Sequence, residues 1–389
     1  MLNILYISLF PPTPNDPAAG GKLAYFYVEK LNNNENINLN VICSIPRTNK
    51  EFWDISTKKF NGIYFNEPEQ KLIKRIKSKF YINYGGYFQI EHVKLFINSA
   101  IELKQNGFYP NYIIFDWEST AYIFKDIKKI FPNANYSVVE QDVISQSFYR
   151  FYKSTINPIK KIYKYYMFKN CLRLEKKIFK QFDYITVLSK KDFDLVKKIY
   201  KKAIINVIAP FYNNYNSFKL NKNKTNDILF FGYMKRIENQ EAVKWFIDNI
   251  MPQMIDCRFV IIGGGIPDSL KKINKPNILI TGFQTEQEIK TWFKNSLCMI
   301  APLIHGAGVK IKVLEAMSAG IPVLTNEIGI EGIPANNGKE YLFCKEKEDY
   351  IRNIYKLINN KDLCIEIGEN SRNMLKNNFN FDQSSYLKF

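Results

Sequence analysis

Short apolar runs of strand length alternate with helix-like segments along this chain, and that alternation narrows the possible folds more than any other feature. In the first half the runs Ile4 to Phe10, Leu39 to Ile42, Tyr112 to Phe115, Tyr136 to Val139 and Tyr184 to Leu188 have the character of buried strands. In the second half Ile228 to Phe231, Phe259 to Ile262, Ile278 to Thr281, Cys298 to Ala301 and Val323 to Leu324 repeat the pattern. Apolar runs without alternation suit strands covered on both faces, as in parallel sheets flanked by helices. The expected class is α/β, with two doubly wound, Rossmann-like domains. A chain of 389 residues, 46% of them hydrophobic, can bury two such cores. The asparagine-rich stretch 213–227, NNYNSFKLNKNKTND, is linker-like by composition and separates domains at 1–212 and 228–370, leaving a tail at 371–389.

The net charge of +18 calls for an anionic partner. Lysine and arginine interleave with aromatics in two stretches, Lys71 to Tyr87 and Lys153 to Lys180, a pattern suited to an anionic membrane surface and also produced by a lysine-rich composition alone. No helix-turn-helix, zinc or RNA-recognition signature organises the charge, so nucleic acid is not an expected partner. The six cysteines are scattered with no C-x-x-C, which fits a reducing, cytoplasmic compartment. The start, MLNILYISLFPP, lacks a basic n-region and a small-residue cleavage site, and reads as a first strand. No apolar run approaches the roughly 18 residues that span a bilayer, so membrane contact is expected to be peripheral. With two histidines and no clustered cysteines, neither a metal nor a cofactor is expected.

The stretch from His305 to Thr325, HGAGVKIKVLEAMSAGIPVLT, carries the chemistry. A glycine turn enters a helical pattern, Val309 to Ala319, which Gly320 and Pro322 end. Lys310 and Lys312 then fall in the first turn, where cations oppose the helix dipole by about 0.3–1 kcal/mol each unless an anion joins them. Phosphate is the simplest such anion. Glu315, one turn on, is placed to accept from a ribose diol, and the set reads as a nucleotide-diphosphate site.

The run GAGVKIKVLEAMSAGIPV closely resembles the donor-site signature of family 4 glycosyltransferases, in the bacterial branch G-x-G-x-K-x-K-x-L-E-A-M. The resemblance implies the GT-B fold, two Rossmann-like domains facing a cleft, and retaining transfer of a hexose from a UDP- or GDP-sugar to a glycan or lipid-linked acceptor. It assigns Lys310, Lys312 and Glu315 to the catalytic centre, and the backbone of Gly306, Ala307, Gly308 and Val309 to the donor. Upstream, ILFFGYMKRIENQEAV resembles the family's glycine turn at Gly232, and Ala19-Gly20-Gly21 its glycine loop after the first strand, so Gly20 and Gly21 are donor-side candidates. In the acceptor domain Gln141 and Asp142 stand where the branch has E-H-N or E-H-D, and Asp116 and Glu118 end a preceding strand.

Departures from the family pattern are specific. The arginine after the turn glycine and the following lysine are Tyr233 and Glu238 here, with Lys235 and Arg236 the nearest substitutes. The partner of Glu315 in the family's glutamate pair falls on Ala307, which makes Glu331 a candidate replacement acid. Gly263-Gly264-Gly265 lacks the remaining parts of a dinucleotide fingerprint, and Asp192-Phe193-Asp194 is better read as a helix start capped by Ser189 than as a metal-binding D-x-D. Two alternatives stay open: a non-catalytic GT-B subunit that stabilises a partner enzyme, and a nucleotide-sugar epimerase.

Overall fold

The computed structural model of the chain describes residues 1–14, 19–46, 60–69 and 90–379. It divides into two compact units, one ending at Ile208 and the other starting at Ala209.

The first unit is built on seven strands: β1 (Leu2–Ser8), β2 (Ile37–Ile45), β3 (Gly62–Asn66), β4 (Tyr112–Asp116), β5 (Asn135–Glu140), β6 (Tyr184–Val187) and β7 (Ile205–Val207). They lie in the order β3-β2-β1-β4-β5-β6-β7, every neighbouring pair parallel. The central strands are largely apolar, and Leu5, Ile7, Ile113, Phe115 and Val138 are fully enclosed. Edge strands β3 and β7 contain no fully buried residue, and their apolar runs are at most three residues long.

The second unit holds β8 (Asp227–Phe231), β9 (Arg258–Ile262), β10 (Ile278–Gly282), β11 (Cys298–Ala301), β12 (Val323–Thr325) and β13 (Leu342–Phe343), ordered β10-β9-β8-β11-β12-β13 and again all parallel. The order in which strands are added switches direction between β1 and β4 in the first sheet and between β8 and β11 in the second. The carboxyl ends of strands at such a switch point are the usual ligand position in sheets of this kind.

Two boundaries differ from the sequence reading. The polar stretch 213–227 is not a free linker: Tyr215 is 1% exposed within the second core, its amide donates to Ser318 Oγ at 3.0 Å, and Lys224 Nζ donates to the carbonyls of Lys294 and Ser296. One aromatic ring outweighs the surrounding asparagines. The last helix runs Lys361–Asn378, past the boundary expected at 370, because Arg372 donates to the carbonyls of Ser318, Ala319 and Phe218 and holds it on the second unit. The remainder of the expected tail, from 380, and the basic stretch Lys71 to Tyr87 lie outside the described residues. All six cysteines are buried and none forms a disulfide, and no described helix is long and apolar enough to cross a membrane.

Candidate functional site

The carboxyl end of β8 runs directly into Gly232. A Cβ at this position would sit 2.9 Å from Asn239 Nδ2 and 3.1 Å from Lys312 Nζ, so a side chain would displace the very groups that converge there. Across the strand ends Gly263 lies still closer: its Cβ would be 1.9 Å from the Gly232 carbonyl oxygen. The glycine triplet thus lets two loops pass backbone to backbone, with Gly232 N donating to Ile262 O and Met234 N to Gly264 O. That is a packing reason for glycine, in place of a dinucleotide turn.

The lysine motif is placed differently from expectation in one respect. The helix is Ile311–Ala319, so Lys310 is its N-cap residue and Lys312 alone lies in the first turn. Lys310 is extended there, and its amine turns back to the carbonyls of Ala307 at 3.0 Å and Gly308 at 2.5 Å, with Glu331 Oε2 at 3.5 Å. Glu331, expected on a loop, is 8% exposed and faces this lysine, which makes it part of the same cluster. Gly306 lies beside the Lys310 stem, and Val309 packs on the core.

Lys312 is enclosed. Its amine donates to Asn239 Oδ1 at 2.5 Å and stands 4.4 Å from the centre of the Phe230 ring. Burial pushes its pKa down to about 7, and the charges of Arg236 and Lys310 push the same way while Glu238 opposes them. Burial alone would raise the Glu238 carboxyl, but Arg236, bonded to it at 2.6 Å, and Lys312 hold it below its ordinary value. The Glu238 charge is therefore offset by Arg236, two residues before it. Lys235 is exposed, with its amine over the Tyr233 ring.

Glu315 follows one turn later, 5% exposed, with Oε1 accepting from Asn213 Nδ2 at 3.0 Å. The Ser318 hydroxyl bonds the Glu315 carbonyl at 2.7 Å and accepts from Tyr215 N. One carboxylate oxygen is thus fixed by the segment that enters the second unit.

In the first unit the strand ends carry a second polar group. Asp116, at the end of β4, accepts from Ser8 Oγ at 3.2 Å and from Gln141 Nε2 at 3.1 Å, and burial raises its pKa to about 6. Gln141 also donates to the carbonyl of Gly20, the second residue of the helix Ala19–Asn32, with Gly21 following it inside the first turn. Trp117 has φ of 70°, making it the one described non-glycine residue with positive φ, and its indole donates to Asp142 Oδ1 at 3.3 Å. Strain of that kind collects at functional positions.

Behind this group is a set of enclosed carboxylates. Glu118, Glu140 and Glu175 are at most 2% exposed, and burial raises all three, Glu175 to about 7. Glu118, Cys171 and Glu175 offer ligand atoms within 4.8 Å of one another, a spacing a cation could use. Glu175 already has a structural task, since Oε1 accepts from Ser145 N at 2.8 Å and caps the helix Ile144–Ser154. Asp192 is buried at the start of the helix Lys190–Ile199, whose Ser189 cap accepts its amide, and so serves that helix.

Asn213, Asn239 and Trp117 were not among the sequence candidates. Asparagine is abundant throughout the chain, so neither position stood out; only the three-dimensional pairing with Glu315 and Lys312 distinguishes them.

The chain is similar to several known proteins. Residues 225–360 match the family model described as glycosyl transferases group 1. A Klebsiella pneumoniae protein described as an uncharacterized 44.6 kDa protein in the cps region is 26% identical over 296 residues, 72% of this chain and 73% of that protein. An uncharacterized glycosyltransferase of Methanocaldococcus jannaschii, MJ1069, is 26% identical over 231 residues, 54% of this chain and 58% of its own length. Among solved structures, sucrose-phosphate synthase from Thermosynechococcus elongatus superposes with a TM-score of 0.73 at 13% identity, covering 100% of this chain and 97% of that one. Anabaena HepE in complex with UDP and glucose gives 0.69 at 12% identity, covering 99% and 97%. The fold is GT-B, and the matched segment supports a glycosyltransferase.

Proposed function

We propose that this chain is a retaining glycosyltransferase that moves a hexose from a UDP- or GDP-sugar to a hydroxyl of a glycan or lipid-linked acceptor, on the cytoplasmic side of a bacterial membrane during surface polysaccharide assembly. The observation that carries the reading is the positive charge gathered at the Gly232 turn: the partly buried Lys312 amine stands beside it, bonded to Asn239, and the charges of Arg236 and Lys310 act on that amine. Enclosed cations that depress one another's protonation are stabilised by a multiply charged anion, and a diphosphate is of the right size and charge. The cps-region relative supports the polysaccharide setting.

On this reading Lys312, Lys310 and the amides at the start of the helix Ile311–Ala319 bind the donor phosphates, and Glu315 accepts from the ribose diol. As the glycosidic bond breaks, negative charge grows on the leaving diphosphate, and these donors stabilise it; losing one commonly costs about 10²–10³ in rate. The leaving phosphate itself takes the proton of the incoming hydroxyl. Glu331, held by Lys310, contacts the sugar in place of the acid that Ala307 lacks. Asp116, Gln141 and Asp142 are the acceptor-side groups, with Glu118 behind them and Gly20 and Gly21 beside them.

The test is a panel of UDP- and GDP-hexoses with glycan and lipid-linked acceptors, scored for transfer, hydrolysis and binding by wild type and Lys312→Ala. The expected result is one preferred donor whose transfer falls at least a hundredfold in the variant. Nucleotide binding without any turnover would identify a non-catalytic subunit instead, and conversion of the donor without an acceptor would identify an epimerase.

A further inference from the structure

The helices Ile144–Ser154 and Pro158–Phe179 form an antiparallel hairpin in the first unit. Between Val143 and Leu174 the sequence has seven lysines and arginines and no aspartate or glutamate. The hairpin is also where apolar side chains are most openly presented: seven of the seventeen large hydrophobic or aromatic residues that are exposed among the described residues lie between Tyr149 and Tyr166. Ile156 at its tip is 95% exposed, and Ile159 and Ile162 are 79% and 71% exposed.

Helical spacing sorts these residues into two faces. Lys161, Lys164, Tyr165 and Phe168 follow the i, i+3, i+4, i+7 pattern and meet the neighbouring helix, with Tyr165 5.1 Å from Tyr152, Phe168 5.3 Å from Tyr149, and Lys161 and Lys164 over Tyr152 and Phe151. Ile159, Ile162, Tyr163 and Tyr166 follow the same pattern two residues earlier. At about 100° per residue the two stripes are centred roughly half a turn apart. The second stripe therefore points away from the protein's own packing. The long helix has no buried residue before Cys171, so its first half is anchored only through the aromatic stack with its neighbour. A soluble surface would not need isoleucine there, and a core cannot use it.

We propose that this hairpin is a membrane-docking element, with Ile156, Ile159, Ile162, Tyr163 and Tyr166 entering the headgroup region of an anionic bilayer while the surrounding lysines bind lipid phosphates. Charge selects the occupant: a stretch free of carboxylates and rich in lysine complements an anionic lipid surface, and tyrosine and lysine both suit the boundary between headgroup and acyl chain. This assignment does not depend on the donor chemistry. It also relocates the membrane contact expected from the stretch 153–180, because Leu174, Ile178 and Phe179 belong to the core and only the part before Cys171 is available.

The experiment uses the full chain. Wild type and the triple variant Ile159→Ser, Ile162→Ser, Tyr166→Ser are sedimented with vesicles of phosphatidylcholine, with and without phosphatidylglycerol, over a range of salt. Expected is partition onto the anionic vesicles that weakens with salt and falls at least tenfold in the variant at unchanged melting temperature. An environment-sensitive fluorophore on Ile159→Cys is expected to shift to the blue on those vesicles alone. Failure of wild type to bind anionic vesicles, or equal binding by the variant, overturns the proposal, as does loss in the variant of a concentration-dependent dimer with no change in vesicle binding.

Discussion

Asn239 holds Lys312 from below the Gly232 turn: its side-chain oxygen accepts the lysine amine at 2.5 Å while its amide nitrogen donates to the Tyr233 carbonyl at 2.7 Å. The lysine is thereby tied to the loop whose glycine keeps the space above it open. Asn239→Ala removes an acceptor from an enclosed ammonium, a loss worth about 1–3 kcal/mol. Calorimetry with the nucleoside diphosphate is expected to show roughly tenfold weaker binding, since 1.4 kcal/mol is about a factor of ten. Asn239→Asp restores an acceptor but sets a negative charge against the phosphates, so it should melt near wild type and bind no better than the alanine variant.

Protonation of Lys312 supplies a second expectation. Its folded-state pKa of about 7 lies below the ordinary 10.5, so the penalty on the folded state is complete below about pH 7 and disappears as pH rises toward 10.5. A bound diphosphate restores the charge. Binding at pH 8 is therefore expected to take up protons, and affinity to decline as pH rises above 7. Calorimetry in buffers of different ionisation enthalpy measures the uptake, which Lys312→Met should abolish.

For Glu315 the relevant change is Glu315→Gln. The amide oxygen can still accept from Asn213, so the segment should stay docked and the fold intact. Loss of the charge at the ribose is expected to weaken donor binding by about 1.5–3 kcal/mol. An unchanged dissociation constant would remove Glu315 from the donor site.

The enclosed carboxylates predict a pH-dependent stability of opposite sense to that of Lys312. Glu118, Glu140 and Glu175 have folded-state pKa values above the ordinary 4.5, so each carries a penalty that is relieved as pH falls toward 4.5, and that of Glu175 is fully present above about pH 7. Glu140→Gln should raise the melting temperature at pH 8 and lose that advantage near pH 5. Equal effects at both values would place the cluster's charge elsewhere.

Much of the architecture was readable from the chain because central parallel strands have apolar middles. The runs read at Ile228, Phe259, Ile278, Cys298 and Val323 all coincide with strands, and those read at Ile4 and Leu39 are extended or shifted by a few residues. Strands β3, β7 and β13 escaped because edge strands are partly exposed or very short. Within the candidate site the lysines, Glu315 and the glycine turns were legible as chemistry at fixed spacing. Their holders were not: Asn239 is 73 residues from Lys312, and Asn213 is 102 from Glu315, separations at which pairing is decided by the fold alone.

Gly20, Trp117 and Gln141 have an evolutionary consequence as a set. A Cβ on Gly20 would lie 2.9 Å from Gln141 Oε1 and 3.2 Å from the Trp117 ring, while Trp117 itself occupies a backbone region that side chains rarely adopt. A side chain at position 20 therefore requires Gln141 or Trp117 to give way. Among descendants of this chain, alanine at position 20 should be inherited together with a smaller residue at 117 or a different one at 141, so the three positions are expected to vary as a block even while the sheets around them diverge freely.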